Sequence, residues 1–178
     1  METAAFIIDK CTSLEKAVFY SLSCNGPLTK SELSKQLNLK HATLSRTVDS
    51  LIRRGLLIQI EAHRSNSIGR KPKLLSVNPD SFYIIGVDIS RMYLGIMLTD
   101  ACLNIIEYLE YELEGSNSPE FITAKIANQV EFLLEKYSIA REKILGLGIG
   151  AAGKLDKSEG IIVYADNFGT SWSNIQIS

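Results

Sequence analysis

The stretch Leu39-Lys-His-Ala-Thr-Leu-Ser-Arg-Thr-Val-Asp-Ser-Leu-Ile-Arg-Arg-Gly55 constrains the chain more than any other. Leu44, Val48, Leu51 and Ile52 fall at i, i+4, i+7 and i+8, so a helix here carries one apolar stripe that has to be buried against neighbours. At about 100° per residue, Ala42, Thr43, Arg46, Ser50 and Arg53 point away from that stripe, and none is large and apolar. A small, basic face of this kind can enter a major groove, whereas the plainer reading is a surface helix with an ordinary polar side. Gly55 ends the helix, and Leu56-Leu-Ile-Gln-Ile60 follows at once as a strand-like run. A helix that feeds directly into a hairpin is how a winged helix is built.

The surroundings of this helix fit the same plan. Leu14, Ala17, Val18 and Leu22 form an earlier helical stripe that stops at Asn25-Gly26-Pro27. Thr29 and Glu32 have the spacing of a capping box, and Leu33 and Leu37 mark a short second helix behind it. Beyond Ile60 a polar stretch containing Gly69-Arg70-Lys71-Pro72 leads to a second strand-like run, Lys73–Val77. Arg70 and Lys71 beside Gly69 sit where a wing would reach a narrow, electronegative minor groove. Taken alone, the same loop reads as a solvated turn with three charges.

Charge separates the two halves. Residues 1–80 hold 12 Lys and Arg against 7 Asp and Glu, and residues 81–178 hold 7 against 13. A local positive field over the third helix and the wing suits double-stranded DNA, while the acidic remainder would be repelled by phosphate. With 46% apolar residues the chain can bury a core. No apolar run is long enough to span a bilayer and the start does not read as a signal peptide, so the expected location is cytoplasmic, with no membrane partner. Cys11, Cys24 and Cys102 are odd in number and widely spaced, the pattern of reduced thiols without a metal site.

Asn78-Pro79-Asp80 is the expected boundary between a DNA-binding domain at 1–78 and a second domain at 79–178. In the latter, Tyr83–Ile89, Tyr93–Leu98 and Ile105–Leu113 read as a meander of three antiparallel strands. Ser118-Pro119 then caps a helix striped by Ile122, Ile126, Val130, Leu133, Leu134 and Tyr137. Ile144–Ile149 is a further buried strand by composition, and Ile161–Tyr164 another. Gly148-Ile-Gly150-Ala-Ala-Gly153 fits a dinucleotide fingerprint literally, but Lys154–Gly160 is a polar loop leading to another strand, so no helix follows to hold a pyrophosphate.

Gly26–Leu39, Thr43–Leu51 and Gly69-Arg-Lys-Pro-Lys-Leu-Leu75 together resemble the N-terminal domain of the ROK (repressor, open reading frame, kinase) family of sugar-responsive bacterial regulators. The helix-turn-helix pattern is shared with multiple-antibiotic-resistance-type regulators; the Gly-Arg-Lys-Pro wing followed by Asn-Pro-Asp and a Gly-Val-Asp strand is more specific. The resemblance implies an α+β fold, a winged helix-turn-helix followed by the first lobe of an actin-like (ribonuclease H-like) domain. It implies a repressor of carbohydrate genes that binds an operator, senses a sugar or sugar phosphate and, at full length, forms a homodimer. Asp88-Ile-Ser-Arg-Met-Tyr93 replaces the Asp-Ile-Gly-Gly-Thr-Lys of ROK kinases, and the family's catalytic Asn-Asp and Cys-rich zinc motifs are absent from these residues. The expectation is therefore no enzyme and no cofactor. By the same resemblance Gly153 and Asn167 would line a sugar cleft, although Asn167 serves equally well as a turn cap. The resemblance also implies that the chain stops partway through the second domain, so its sensing would be impaired and apolar strand faces partly exposed. Two alternatives stay open: a ROK sugar kinase homologue with an added helix-turn-helix, and a DNA-binding module whose second half mediates protein contacts.

Overall fold

The computed structural model describes residues 4–61, 72–113, 118–156, 158–165 and 172–176. The chain divides into two compact units, one comprising residues 1–83 together with the turn 100–104, the other 84–99 and 105–178.

In the first unit α1 (Ala4–Asp9) is followed by α2 (Ser13–Asn25), which starts at a capping box. The Thr12 side chain accepts from the Glu15 amide at 3.2 Å, and the Thr12 amide donates to Glu15 Oε2 at 2.8 Å. Thr29 and Glu32 repeat the device at the start of α3 (Lys30–Gln36). Both boxes satisfy amides that a helix start otherwise leaves unpaired. A turn through Asn38 in the left-handed region leads to α4 (His41–Arg53). Ser34 Oγ donates to Leu39 O at 2.6 Å and so ties the turn to α3. Leu33, Leu44, Val48 and Leu51 are fully buried between the helices, with Val18 and Leu22 of α2.

The hairpin expected from the sequence is present. Strand β2 (Leu57–Glu61) pairs antiparallel with β3 (Lys73–Val77), from Leu57 opposite Val77 to Glu61 opposite Lys73. The short β1 (Leu28–Thr29) adds to the other side of β3, giving the order β1-β3-β2. Leu57, Leu75 and Val77 share one face and are buried at one end of the hairpin, and burial fades along that same face toward the exposed Gln59, Glu61 and Lys73. Asn78 staples the strand end, its amide donating to Leu56 O and its side chain to Gly55 O.

The second unit holds a four-stranded sheet in the order β6-β5-β4-β7, built from β4 (Tyr83–Ile89), β5 (Tyr93–Asp100), β6 (Ile105–Glu112) and β7 (Ile144–Ala151). Strands β5 and β6 are antiparallel, with Ile96 opposite Leu109. Helix α5 (Pro119–Lys136) starts at Ser118, whose side chain accepts from the Phe121 amide, with Pro119 in the first turn. It covers one face of the sheet: Tyr111 Oη donates to Gln129 and Tyr137 Oη to Glu107. A smaller sheet orders β10 (Ser173–Gln176), β9 (Ile161–Tyr164) and β8 (Lys154–Asp156).

One expectation needs correction. Ile144–Ile149 is not a buried strand: β7 lies at the edge of its sheet among the described residues, with Leu147 42% exposed. Its alternate glycines, Gly146, Gly148 and Gly150, leave one face with no side chain to pack.

Candidate nucleic-acid interface

Helix α4 is held on three sides. Leu44, Val48 and Leu51 anchor it in the core, with Ile52 half-buried at their edge. On the α3 side Lys30 Nζ reaches Ser45 Oγ at 3.4 Å and Asp49 Oδ1 at 3.5 Å. On the α2 side Glu15 receives Ser50 Oγ at 2.7 Å and Arg54 Nη1 at 3.3 Å, and Arg54 Nη2 also donates to Ile7 O in α1. Glu15 is buried, and burial pushes its carboxyl up. Hydrogen bonds from Ser50 and Thr12 and the charge of Arg54 outweigh that and hold it below the ordinary carboxylate range.

The remaining side of α4 is open. Ala42, Thr43, Arg46 and Arg53 are exposed there, as the sequence suggests. Ser50 is a correction: it is half-buried and its hydroxyl is committed to Glu15, so it turns toward α2 instead of outward. The physical reason is that a buried carboxylate needs donors, and Ser50 is within reach. Sequence reasoning passed over three residues on this surface. Asp49 is exposed and lies on the helix beside Arg46, where its charge is offset by Lys30; the helical wheel alone places it there. Lys40 and His41 are exposed at the start of α4, where no side chain caps the helix, leaving first-turn amides for an anion. Gly69, Arg70 and Lys71 of the wing lie outside the described residues.

Adjacent arginines thus have different employment. Arg53 is exposed, and Arg54 is bound to the scaffold.

Comparison with known proteins places this arrangement. The MarR family model matches residues 12–62, the span from the first capping box through β2. The xylose repressor of Caldicellulosiruptor bescii is 29% identical over 154 residues, which are 86% of this chain and 38% of that protein. The xylose repressor of Bacillus spizizenii is 28% identical over 163 residues, covering 92% and 41%. A solved ROK family transcriptional regulator, homologue of the E. coli MLC protein, superposes with a TM-score of 0.62 at 18% identity, over 92% of this chain and 40% of that one. The sequence is thus similar to xylose repressors, and the fold to that of a ROK family regulator. The chain spans about two fifths of the length of the curated relatives it matches.

In the second unit the turn between β4 and β5 follows Asp88. Asp88 is exposed at the end of β4 and accepts from Tyr93 Oη at 3.2 Å. The turn that follows is closed on itself: the Ser90 amide donates to Tyr93 O, and the Tyr93 amide to Ser90 Oγ, each at 3.0 Å. These two bonds close the turn, and Arg91 and Met92 stand at its tip, both exposed.

Gly153 has a role in the fold itself. It adopts φ +137°, and a Cβ there would lie 2.4 Å from Tyr164 O and 3.0 Å from Ala165 Cα. The glycine lets the turn between β7 and β8 press onto the end of β9. That turn runs straight into strand β8, so no helix follows the glycines, as the dinucleotide argument requires. Asn167 lies outside the described residues. A groove of about 330 Å³ between α5 and the sheet is lined chiefly by Ile122, Ile126, Leu147, Ile149, Trp172 and Ile175. Its walls are mostly hydrocarbon, with Thr123 and Glu131 at the α5 side, and so are poor in the groups that match sugar hydroxyls.

Proposed function

We propose that this chain carries the operator-binding end of a transcriptional repressor of carbohydrate genes, one that responds to a sugar or sugar phosphate and acts as a homodimer. The observation that carries the reading is the open side of α4, where Arg46 and Arg53 are free of the core while Glu15, Lys30 and Arg54 lock the helix from the other sides. A rigid helix with a small, basic outer face, followed by a two-stranded wing, presents donors to base edges and phosphates of a major groove. Arg70 and Lys71, at the expected wing, are proposed contacts to the adjacent minor groove. The matched relatives bear the names of xylose repressors, and sugar as the effector class is inferred from them. The chain is proposed to have no enzymatic activity, because Arg91 and Met92 stand in the turn after Asp88, where a phosphate that must approach the backbone closely needs glycines.

Selection of bound sequences from random DNA tests the reading, followed by titration of the selected site with xylose, glucose and N-acetylglucosamine and their phosphates. A recovered consensus of two half-sites, released by one of these compounds when the protein is supplied at the length of its relatives, is the expected result. Binding without any sequence preference would overturn it.

A further inference from the structure

Helix α5 has two faces, and the fold uses one of them. Ile122, Ile126, Leu133 and Leu134 are buried beneath it, but Phe121 and Phe132 on the opposite side are 52% and 46% exposed. Eleven residues separate the two, three turns at about 3.67 residues each, so they stand in one line along the helix. Ala124 and Asn128 lie between them and are exposed. Glu120 and Glu131 flank this line on one side, Lys125 and Lys136 on the other. Each lysine follows a glutamate by five residues. That is the offset at which flanking residues of two parallel helices meet across an apolar seam.

We propose that α5 is a self-association surface on which a second copy of this chain docks in parallel, Phe121 against Phe121 and Phe132 against Phe132. Glu120 and Glu131 then meet Lys125 and Lys136 of the second copy, and Asn128 pairs with its equivalent at the seam. Charge selects the direction. A two-fold along the helices brings the acidic flank of one copy against the basic flank of the other, whereas an antiparallel pair sets lysine against lysine. Docking exchanges contacts that these groups already make within the chain: Glu131 holds Arg141 in an exposed ion pair, Lys136 pairs with Glu107, and Lys125 lies 4.2 Å from the centre of the Tyr111 ring. An 18-residue helix is about 27 Å long and contributes two phenylalanines per copy, so the contact is small beside a standard interface and weak by itself. Two half-sites on DNA would raise its effective concentration. The inference deepens the homodimer reading above, but the contact is measured without DNA, so its failure leaves the operator reading standing.

Sedimentation equilibrium of the 178-residue chain between about 5 and 500 µM should show a reversible monomer–dimer equilibrium. Phe132→Asp should weaken it by at least about tenfold with unchanged far-ultraviolet circular dichroism, and so should Phe121→Asp. Lys136→Glu should weaken it several-fold, and mixing that variant with Glu131→Lys should restore association. In a Cys24→Ser/Cys102→Ser background, Ala124→Cys and Phe132→Cys should each form a symmetric disulfide dimer. A chain that stays monomeric throughout, a dimer indifferent to both phenylalanine substitutions, or cross-linking at only one of the two positions would overturn the proposal.

Discussion

Arg46 and Arg53 share a face of α4 but should do different work. Arg46 is on the second turn, where a recognition helix meets base edges, and Arg53 is at the last residue of the helix, where the backbone runs past. Arg46→Ala is expected to cost about 1–3 kcal/mol at a selected site and to relax its sequence preference. Arg53→Ala should weaken all sequences alike and lower the slope of log affinity against log salt by about one. Fluorescence anisotropy with selected and scrambled duplexes across salt separates the two. Gly153 makes the opposite kind of prediction, on stability alone. Its positive φ and the 2.4 Å approach of Tyr164 O leave no room for a methyl group. Gly153→Ala should lose about 1–3 kcal/mol from backbone strain, with the overlap adding to it, and thermal unfolding followed by Trp172 fluorescence measures the loss.

Among the elements, α4 depends on Glu15 more than on its own capping, since its first turn has no side-chain cap. Glu15 ties α2 to α4 through Ser50 and Arg54, and Arg54 carries the link on to α1. Arg54→Ala should therefore destabilise the first unit by about 1–3 kcal/mol, mostly by leaving a buried carboxylate short of donors. The sign of the pH dependence follows from the lowered Glu15 group. A carboxyl that ionises more readily in the folded state than in the unfolded one stabilises the fold above the ordinary carboxylate range. That contribution is lost as pH falls through its folded value. Glu15→Gln should reduce stability at neutral pH and flatten its decline in acid, as read from urea midpoints between about pH 7 and pH 3. An unchanged acid decline would show that other carboxylates, Glu32 and Glu107 among them, dominate it.

At the scale of the whole molecule, the proposed lack of phosphotransferase activity rests on Arg91 and Met92 in the turn after Asp88. Titration calorimetry with ATP and magnesium should give no saturable heat, and sugar-dependent ADP release abolished by Asp88→Ala would contradict the non-enzymatic reading. The hydrocarbon groove beside Trp172 and the half-exposed β7 are apolar surfaces of this unit.

Much of this was legible in the sequence because it is local. Period, caps and turn residues act within a few positions, so the helices at Ser13–Asn25 and His41–Arg53, the Thr29 capping box, the hairpin and the Ser118-Pro119 helix start follow from spacing alone. The short α1 and the two-residue β1 were not legible, since neither has a period of its own; Arg54 reaches a carbonyl in α1, and pairing with β3 defines β1. Nor could a helical wheel find the partner of Arg54 or send Ser50 inward. Those assignments depend on where Glu15 lies, 35 residues away from Ser50 in the chain. The same holds for Gly153, whose neighbour Tyr164 arrives only when β9 folds back. Sequence determined which segments are helix or strand and which of their faces are apolar. Tertiary structure decided which polar residues remain free to bind, because a hydrogen bond between distant segments needs both partners in place before either is spoken for.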